Sequence, residues 1–402
     1  MPLYYSDDRK LLFAIDDHND TQNGIPQSVV YGPNGPVWSR HGSGVDDDPP
    51  PPPPASGGDL PVGIPPRRGP FTLEGYPTRL IRLTDETDGP VRPLGMAYYP
   101  IINNHAGRAE LQVLASLNDR LTLFTVYKAS GAVVKGDPLP LNPNTGEYCY
   151  WSHDDPDSVY LLEGRHLLRY SLLSGTQVEV SAPAPITHPH SSADGQVHSF
   201  EMDGQAAVYR QGRITQYPTP GVFDECQVDK SGRWLGVRYT VQRNGQGHLD
   251  NDIVDLTTGQ RWTILDEDGA MGHWDLGFGY GVGEDDQAQP GGVMRLWIFT
   301  PTGPQDGGPV YDWGGWQSMT RYVSHCNARP AAPHGQRVLF SSATLGLVIK
   351  TIGQDDAQAI APSLFPGGEA YWRQTRATLD PTGHYGAWTG LERGDLFLAE
   401  TP

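Results

Sequence analysis

The stretch from Phe223 to Leu265 decides the fold: Phe-Asp-Glu-Cys-Gln-Val-Asp-Lys-Ser-Gly-Arg-Trp-Leu-Gly-Val-Arg-Tyr-Thr-Val runs from 223 to 241, and Ile253-Val-Asp-Leu-Thr-Thr-Gly-Gln-Arg-Trp-Thr-Ile-Leu265 closes it. It opens with an apolar-polar run and turns at Asp229-Lys-Ser-Gly232. An apolar strand follows at Arg233–Tyr239, a polar loop leads to Ile253–Leu256, and Thr257-Thr-Gly259 turns into Arg261–Leu265. Four short strands of four to eight residues, bounded by Gly, Asp and Ser turns, form one antiparallel unit.

Outward from this unit the pattern repeats. Related turns stand at Asn142-Pro-Asn-Thr-Gly146, Ser192-Ala-Asp-Gly195 and Asp380-Pro-Thr-Gly383. A second turn type recurs at Ser130-Gly131, Ser174-Gly175, Gly259 and Gly303. A period of about 40–45 residues with four strands per unit is the signature of a β-propeller. The units parse as 98–141, 147–182, 186–220, 223–265, 272–315, 322–362 and 370–402, which makes seven blades. The last is one strand short. Thr78–Thr84 resembles an outermost strand and is expected to pair with Asp395–Ala399, because an open ring would leave bare strand edges.

The chain divides accordingly into an N-terminal arm (1–45), a Pro-rich linker (46–70) and an all-β, seven-bladed propeller (71–402). The linker carries Pro49 to Pro54 in succession, a stiff polyproline spacer. The arm has a hairpin pattern, Val29-Val-Tyr31 and Val37-Trp38 about Gly32–Pro36, yet is too short for a core of its own. Docking on a protein partner through residues 1–45 is the expectation.

Composition supports this and excludes other classes. With 49 Gly, 37 Pro and 37% hydrophobic residues, the chain is neither disordered nor a helical bundle. No apolar run is long enough to span a bilayer, so no membrane insertion is expected. The first residues have no basic or apolar signal region, which points to cytoplasmic synthesis without a signal peptide. The net charge is −18 and only five lysines occur, so no nucleic acid partner is expected. Cys149, Cys226 and Cys326 are too few and too far apart for a disulfide framework or a zinc knuckle.

Ser192-Ala-Asp-Gly195 and Asp380-Pro-Thr-Gly383, each before an apolar strand, resemble the repeats of TolB-like propellers. Gly272-His-Trp-Asp-Leu-Gly-Phe-Gly-Tyr-Gly-Val-Gly-Glu-Asp-Asp286, Val323-Ser-His-Cys-Asn327 and Tyr371-Trp-Arg-Gln-Thr-Arg376 are similar to stretches of the oligogalacturonate-lyase-related propellers. The likeness covers 223–402, and 71–222 as a repeat pattern. It implies β-elimination assisted by a divalent metal that His and Gln side chains hold in the central channel.

Polar and aromatic residues cluster where the inner strands of such a ring would begin: Asn103 to His105, Trp151 and His153, His188 and His190, Asp224 to Gln227, His273 and Asp275, His325 and Asn327, and Tyr371 to Arg376. His273, His325 and Gln374 are the ligand set for a divalent ion, Mn²⁺ or Ca²⁺, with both histidines expected on one face of the channel. His153, His190 and Arg376 are the catalytic candidates, as proton acceptors and as a carboxylate partner. Trp151, Trp274 and Trp372, with Asp275 and Asn327, are the candidates for holding a glycan, and Trp313 and Trp316 share their setting.

Three readings follow. The first is a non-catalytic recognition or structural propeller, glycan-facing and displayed on a larger assembly such as a phage virion. The second is a metal-assisted polysaccharide lyase acting on uronate-containing glycans. The third is an intracellular scaffold.

Overall fold

The computed structural model describes residues 3–5, 11–14, 28–32, 35–39, 63–88, 91–92, 99–105, 107–118, 120–141, 149–285, 293–312, 319–325, 336–342, 346–354, 357–364, 377–391 and 394–402. Among them the chain is all-β apart from one 3₁₀ turn, Asp266–Asp268. No described helix is long and apolar enough to cross a membrane.

Seven antiparallel sheets form the ring. Blade I runs Ile102–Asn103, Glu110–Leu117, Arg120–Tyr127, Val133–Pro138, with Val91–Arg92 also paired to its second strand. Blade II is Cys149–Trp151, Ser158–Glu163, His166–Ser171, Gly175–Ser181, and blade III is Ile186–Ser191, Val197–Met202, Gln205–Arg210, Arg213–Tyr217. Blade IV is Val222–Val228, Trp234–Arg243, Gln246–Asp255, Arg261–Ile264. Blade V is Trp274–Leu276, Tyr280–Asp285, Val293–Thr300, Gly303–Asp312, and blade VI is Met319–His325, Arg337–Ser342, Gly346–Thr351, Gln358–Ala361.

Blade VII takes strands from both ends of the chain. Ala377–Leu379, Tyr385–Gly390 and Asp395–Glu400 are followed by Leu80–Arg82, with Phe397 opposite Arg82, Leu398 opposite Ile81 and Ala399 opposite Leu80. The expected N-terminal closure is therefore present. A fifth strand, Gly69–Phe71, lies outside it and overlaps the end of the stretch read as linker.

Burial follows position in the blade. The second strands are largely buried on both faces, as in Tyr385–Gly390, where every residue is buried. Outer strands meet water, and Val133–Pro138 is exposed at five of six positions. The closing strand departs from that rule, since Leu80, Ile81 and Arg82 are all buried. Leu80 packs with Leu339, Ile360, Trp388 and Phe397 toward blade VI, and Ile81 packs with Leu111, Val113 and Leu398 toward blade I.

The recurrent Asp turns explain why the repeat is spelled as it is. Asp229 Oδ1 accepts hydrogen bonds from the Arg233 and Trp234 N–H groups, and Oδ2 accepts from the Ser231 hydroxyl and the Gly279 N–H of the next blade. Asp380 does the same with His384, Tyr385 and Thr382, and takes Asn104 Nδ2 of blade I at 2.8 Å. Gly232 and Gly383 hold φ of 71° and 78°, which a side chain at that place would strain. One carboxylate thus shapes its own turn and ties it to a neighbour.

Cys149 and Cys226 are buried, and burial pushes both thiols up, so neither is a reactive thiolate. Cys326 lies outside the described residues. The arm contributes two hairpins, Leu3–Tyr5 with Leu11–Ala14 and Ser28–Gly32 with Gly35–Ser39, whose sheets include no blade strand.

The closure generates a direct expectation. Removal of residues 1–58 leaves Gly69–Phe71 and Leu80–Arg82 in place and should leave the urea midpoint near that of the parent. Removal of 1–85 takes the closing strand and should abolish the cooperative transition. Asp395→Ala strands Arg82 in the interior and should cost about 3–5 kcal/mol in the same denaturation. Equal midpoints for the two truncations would show that the ring does not depend on this strand.

Candidate functional site

His190 is held from several sides within the inner strand of blade III. The Leu276 N–H of blade V donates to Gln227 Oε1 at 2.6 Å, which fixes the amide so that Gln227 Nε2 donates to His190 Nδ1 at 3.0 Å. The imidazole is therefore the tautomer with its proton on Nε2. Tyr99 stacks on the ring at 4.8 Å and on Tyr150 of blade II at 5.3 Å, and its carbonyl accepts from the Thr378 hydroxyl of blade VII. Burial, and after it the Lys230 ammonium, hold His190 well below the ordinary imidazole range. This histidine is a neutral cross-piece between blades.

A second buried chain continues from Tyr150. Its hydroxyl shares a hydrogen bond with the Ser191 hydroxyl at 2.9 Å, Ser191 Oγ meets His198 Nδ1 at 2.8 Å, and His198 Nε2 faces Glu179 at 3.8 Å. The neighbouring His198 imidazole holds the Glu179 carboxyl below its usual range against the effect of burial. The order Ser-His-Glu is that of a hydrolase triad. However, Ser191 and His198 are both buried and the serine oxygen is shared with Tyr150, so the chain ties blade II to blade III. The sequence offered no signal for it, because Glu179, Ser191 and His198 belong to no spaced motif.

At the other end of the inner strands three successive blades place ionisable pairs. His188 Nδ1 lies 3.3 Å from Glu201, and His273 Nδ1 lies 3.3 Å from the buried Glu284. Between them Arg238 binds Asp224, approaches Glu225 at 3.4 Å and donates to the Gly272 carbonyl. His188 adopts φ of 50°, at the place where the register of its strand shifts.

The nominated residues distribute as follows. Trp151 and Trp274 are each 1% exposed. The Trp151 indole N–H donates to the Ile101 carbonyl, and Trp274 lies against Gly236, where a Cβ would come within 2.5 Å of its ring. Both are packing residues, and neither presents a face on which a sugar could stack. Asp275 is buried, with Oδ1 accepting from the Leu276 N–H at 2.9 Å. His153 is buried just beyond the inner strand of blade II. Trp313, Trp316, Asn327, Tyr371, Trp372, Gln374 and Arg376 lie outside the described residues.

Of the proposed metal ligands, Gln374 and the side chain of His325 lie outside the described residues, and only backbone positions can be compared for the two histidines. The expectation was that His273 and His325 both precede inner strands. His273 does, but His325 is the last residue of Met319–His325, because that strand begins earlier than the sequence pattern indicated. His325 pairs with Val338, next to the following turn, whereas His273 lies beside Glu284, near the far end of its partner strand. The two stand at opposite ends of adjacent inner strands, and His273 has a carboxylate partner of its own. Among the described residues no three His, Cys, Asp or Glu side chains converge as a metal site.

A crystal structure of oligogalacturonate lyase from Vibrio parahaemolyticus superposes with a TM-score of 0.57 over 84% of this chain and 97% of that one. The two share a propeller fold, seven-bladed in this chain. Identity to the lyase is 9%, so the likeness shows the fold alone. The structure of U3-55K aligns over 75% of this chain with 11% identity and a TM-score of 0.47. No family model and no curated protein matches the sequence.

The neutral state of His190 sets a pH dependence. The unfolded chain takes up a proton near pH 6.5 that the folded chain refuses until much lower pH. Stability is therefore intact above 6.5 and falls as pH drops from there toward the folded value, with a limiting slope on the order of 1 kcal/mol per unit. Urea midpoints between pH 7 and pH 5 should fall in the parent and fall less steeply in His190→Gln. Parallel profiles would refute the assignment.

Proposed function

We propose that the chain is a non-catalytic recognition or structural propeller, displayed on a larger assembly through residues 1–45. The observation that carries this reading is the relay Leu276–Gln227–His190, capped by Tyr99, which joins residues of several blades around one neutral imidazole. A general base needs an imidazole that can reach substrate and accept a proton near the working pH. His190 is sealed and depressed, and its position serves ring rigidity.

The arm supports the display. Its two hairpins pair internally, and their sheets are separate from the seven blades. Apolar strands such as Leu11–Ala14 then need a partner surface to cover them. A virion or another multimeric body supplies such a surface, and the propeller face would meet glycans.

The alternative, a metal-assisted lyase, is carried by the family resemblance and makes opposite predictions. Purified full-length protein should give no stoichiometric Mn²⁺ or Ca²⁺ by elemental analysis. Incubation with polygalacturonate should produce no near-ultraviolet absorbance from unsaturated products. Cross-linking of the native assembly should join residues 1–45 to a different protein. One ion per chain together with elimination would replace this reading by the lyase, and arm cross-links confined to its own ring would remove the display.

A further inference from the structure

The outermost strand of every blade has one edge that pairs with no described strand. Such an edge invites pairing with another chain unless it is short, charged or carries proline. Six blades show these safeguards. Val133–Pro138 of blade I holds Lys135 and Pro138, and Arg213–Tyr217 of blade III and Arg261–Ile264 of blade IV each open with arginine. Gly303–Asp312 of blade V carries Pro304 and Pro309. Gln358–Ala361 of blade VI has only four residues ahead of Pro362, and Gly69–Phe71 of blade VII has three with Pro70 at its centre. Blade II differs. Its outer strand, Gly175-Thr-Gln-Val-Glu-Val-Ser181, runs for seven residues without Pro, Lys or Arg.

The same blade carries the most exposed apolar side chains. Among the described residues Leu173 is 83% exposed and Val178 58%, the two highest values for large apolar side chains, and Tyr127 and Val134 of the neighbouring blade I are also exposed. The unguarded strand suits itself as a partner. Set antiparallel to a second copy about Val178, it places Val178 opposite Val178, and Gln177 opposite Glu179 on both sides. The first is a β-branched apolar pair and the second an amide facing a carboxylate, so no like charges meet. The Glu179 charge is further offset by His198 of its own chain. A bulge at Glu179 interrupts pairing to the third strand, which confines the added ladder to the few residues around Val178.

We propose that the outer strand of blade II pairs edge to edge with the same strand of a second copy, joining two propellers about a twofold axis at Val178. A contact of this size is weak and depends on concentration. Copies mounted side by side on one body would meet at a raised effective concentration, where a weak contact suffices. The surface uses no residue of the arm. Its failure leaves docking through residues 1–45 untouched, and failure of docking leaves the pairing untouched.

The test follows the full chain by sedimentation velocity over a concentration series. The parent should pass from monomer to dimer as concentration rises. Val178→Lys and Val178→Glu each set two like charges face to face and should raise the dissociation constant by about ten-fold or more. An equimolar mixture of the two sets Lys against Glu across the same pair and should dimerise more tightly than either alone. This result belongs to a pairing in which residue 178 meets itself, and an association through the arm would not produce it. Ile298→Lys, at an exposed apolar residue of blade V, should dimerise like the parent. Position 178 faces solvent in the single ring, so the variants should keep the parent Tm, measured alongside. A parent that stays monomeric throughout, an association indifferent to Val178→Lys, or a mixture no tighter than its components would each overturn the proposal.

Discussion

The ring depends on one piece of antiparallel pairing, Leu80–Arg82 against Asp395–Glu400. Seven blades cannot be held in a circle by neighbour packing alone if the first and last share no strand, because the joint between them could open. Here the joint is interlaced. Arg82 binds Asp395 at 2.7 Å with both side chains buried, and the Thr84 hydroxyl donates to Asp395 and accepts from the Leu396 N–H. A buried ion pair adds little net stability by itself, but it penalises any register that separates the partners. Its value in this place is to specify which three residues close the circle.

That closure was legible in the sequence because it follows from counting: the last repeat stopped one strand short, and a strand of the right type stood ahead of the first. The blades were legible for a related reason. Asp229 and Asp380 must sit at fixed offsets from Ser231, Thr382, Gly232 and Gly383 to satisfy their own turns, so the constraint is local and leaves a local trace. Gly69–Phe71 was less visible, since three residues beside a proline-rich stretch carry no alternation.

The channel was read less well, for a physical reason. Polarity near an inner strand is ambiguous, because a buried ring of blades needs hydrogen bonds across its gaps as much as a reaction centre needs reactive groups. Asn103, which reaches Gln112 and the Pro156 carbonyl, and Asn104, which reaches Asp380, serve the first need. Trp151 and Trp274 are ambiguous in the same way: an indole beside a glycine can be a ring packed on bare backbone, as Trp274 on Gly236 shows.

The way the chain enters the ring also has a mechanical side. A pull arriving from residues 1–62 would reach the body at Ile64, which is buried, and at Pro65, whose carbonyl is held by Arg82. Arg68 is bolted to Asp88, which also binds Lys135 of blade I. Beyond these lies Gly69–Phe71, and only behind that strand does the closing strand begin. Load would thus be spread over blades I and VII and would first have to strip an outer, expendable strand. Under such a load the interlaced joint would be shielded, as a knot is when the rope is cleated ahead of it.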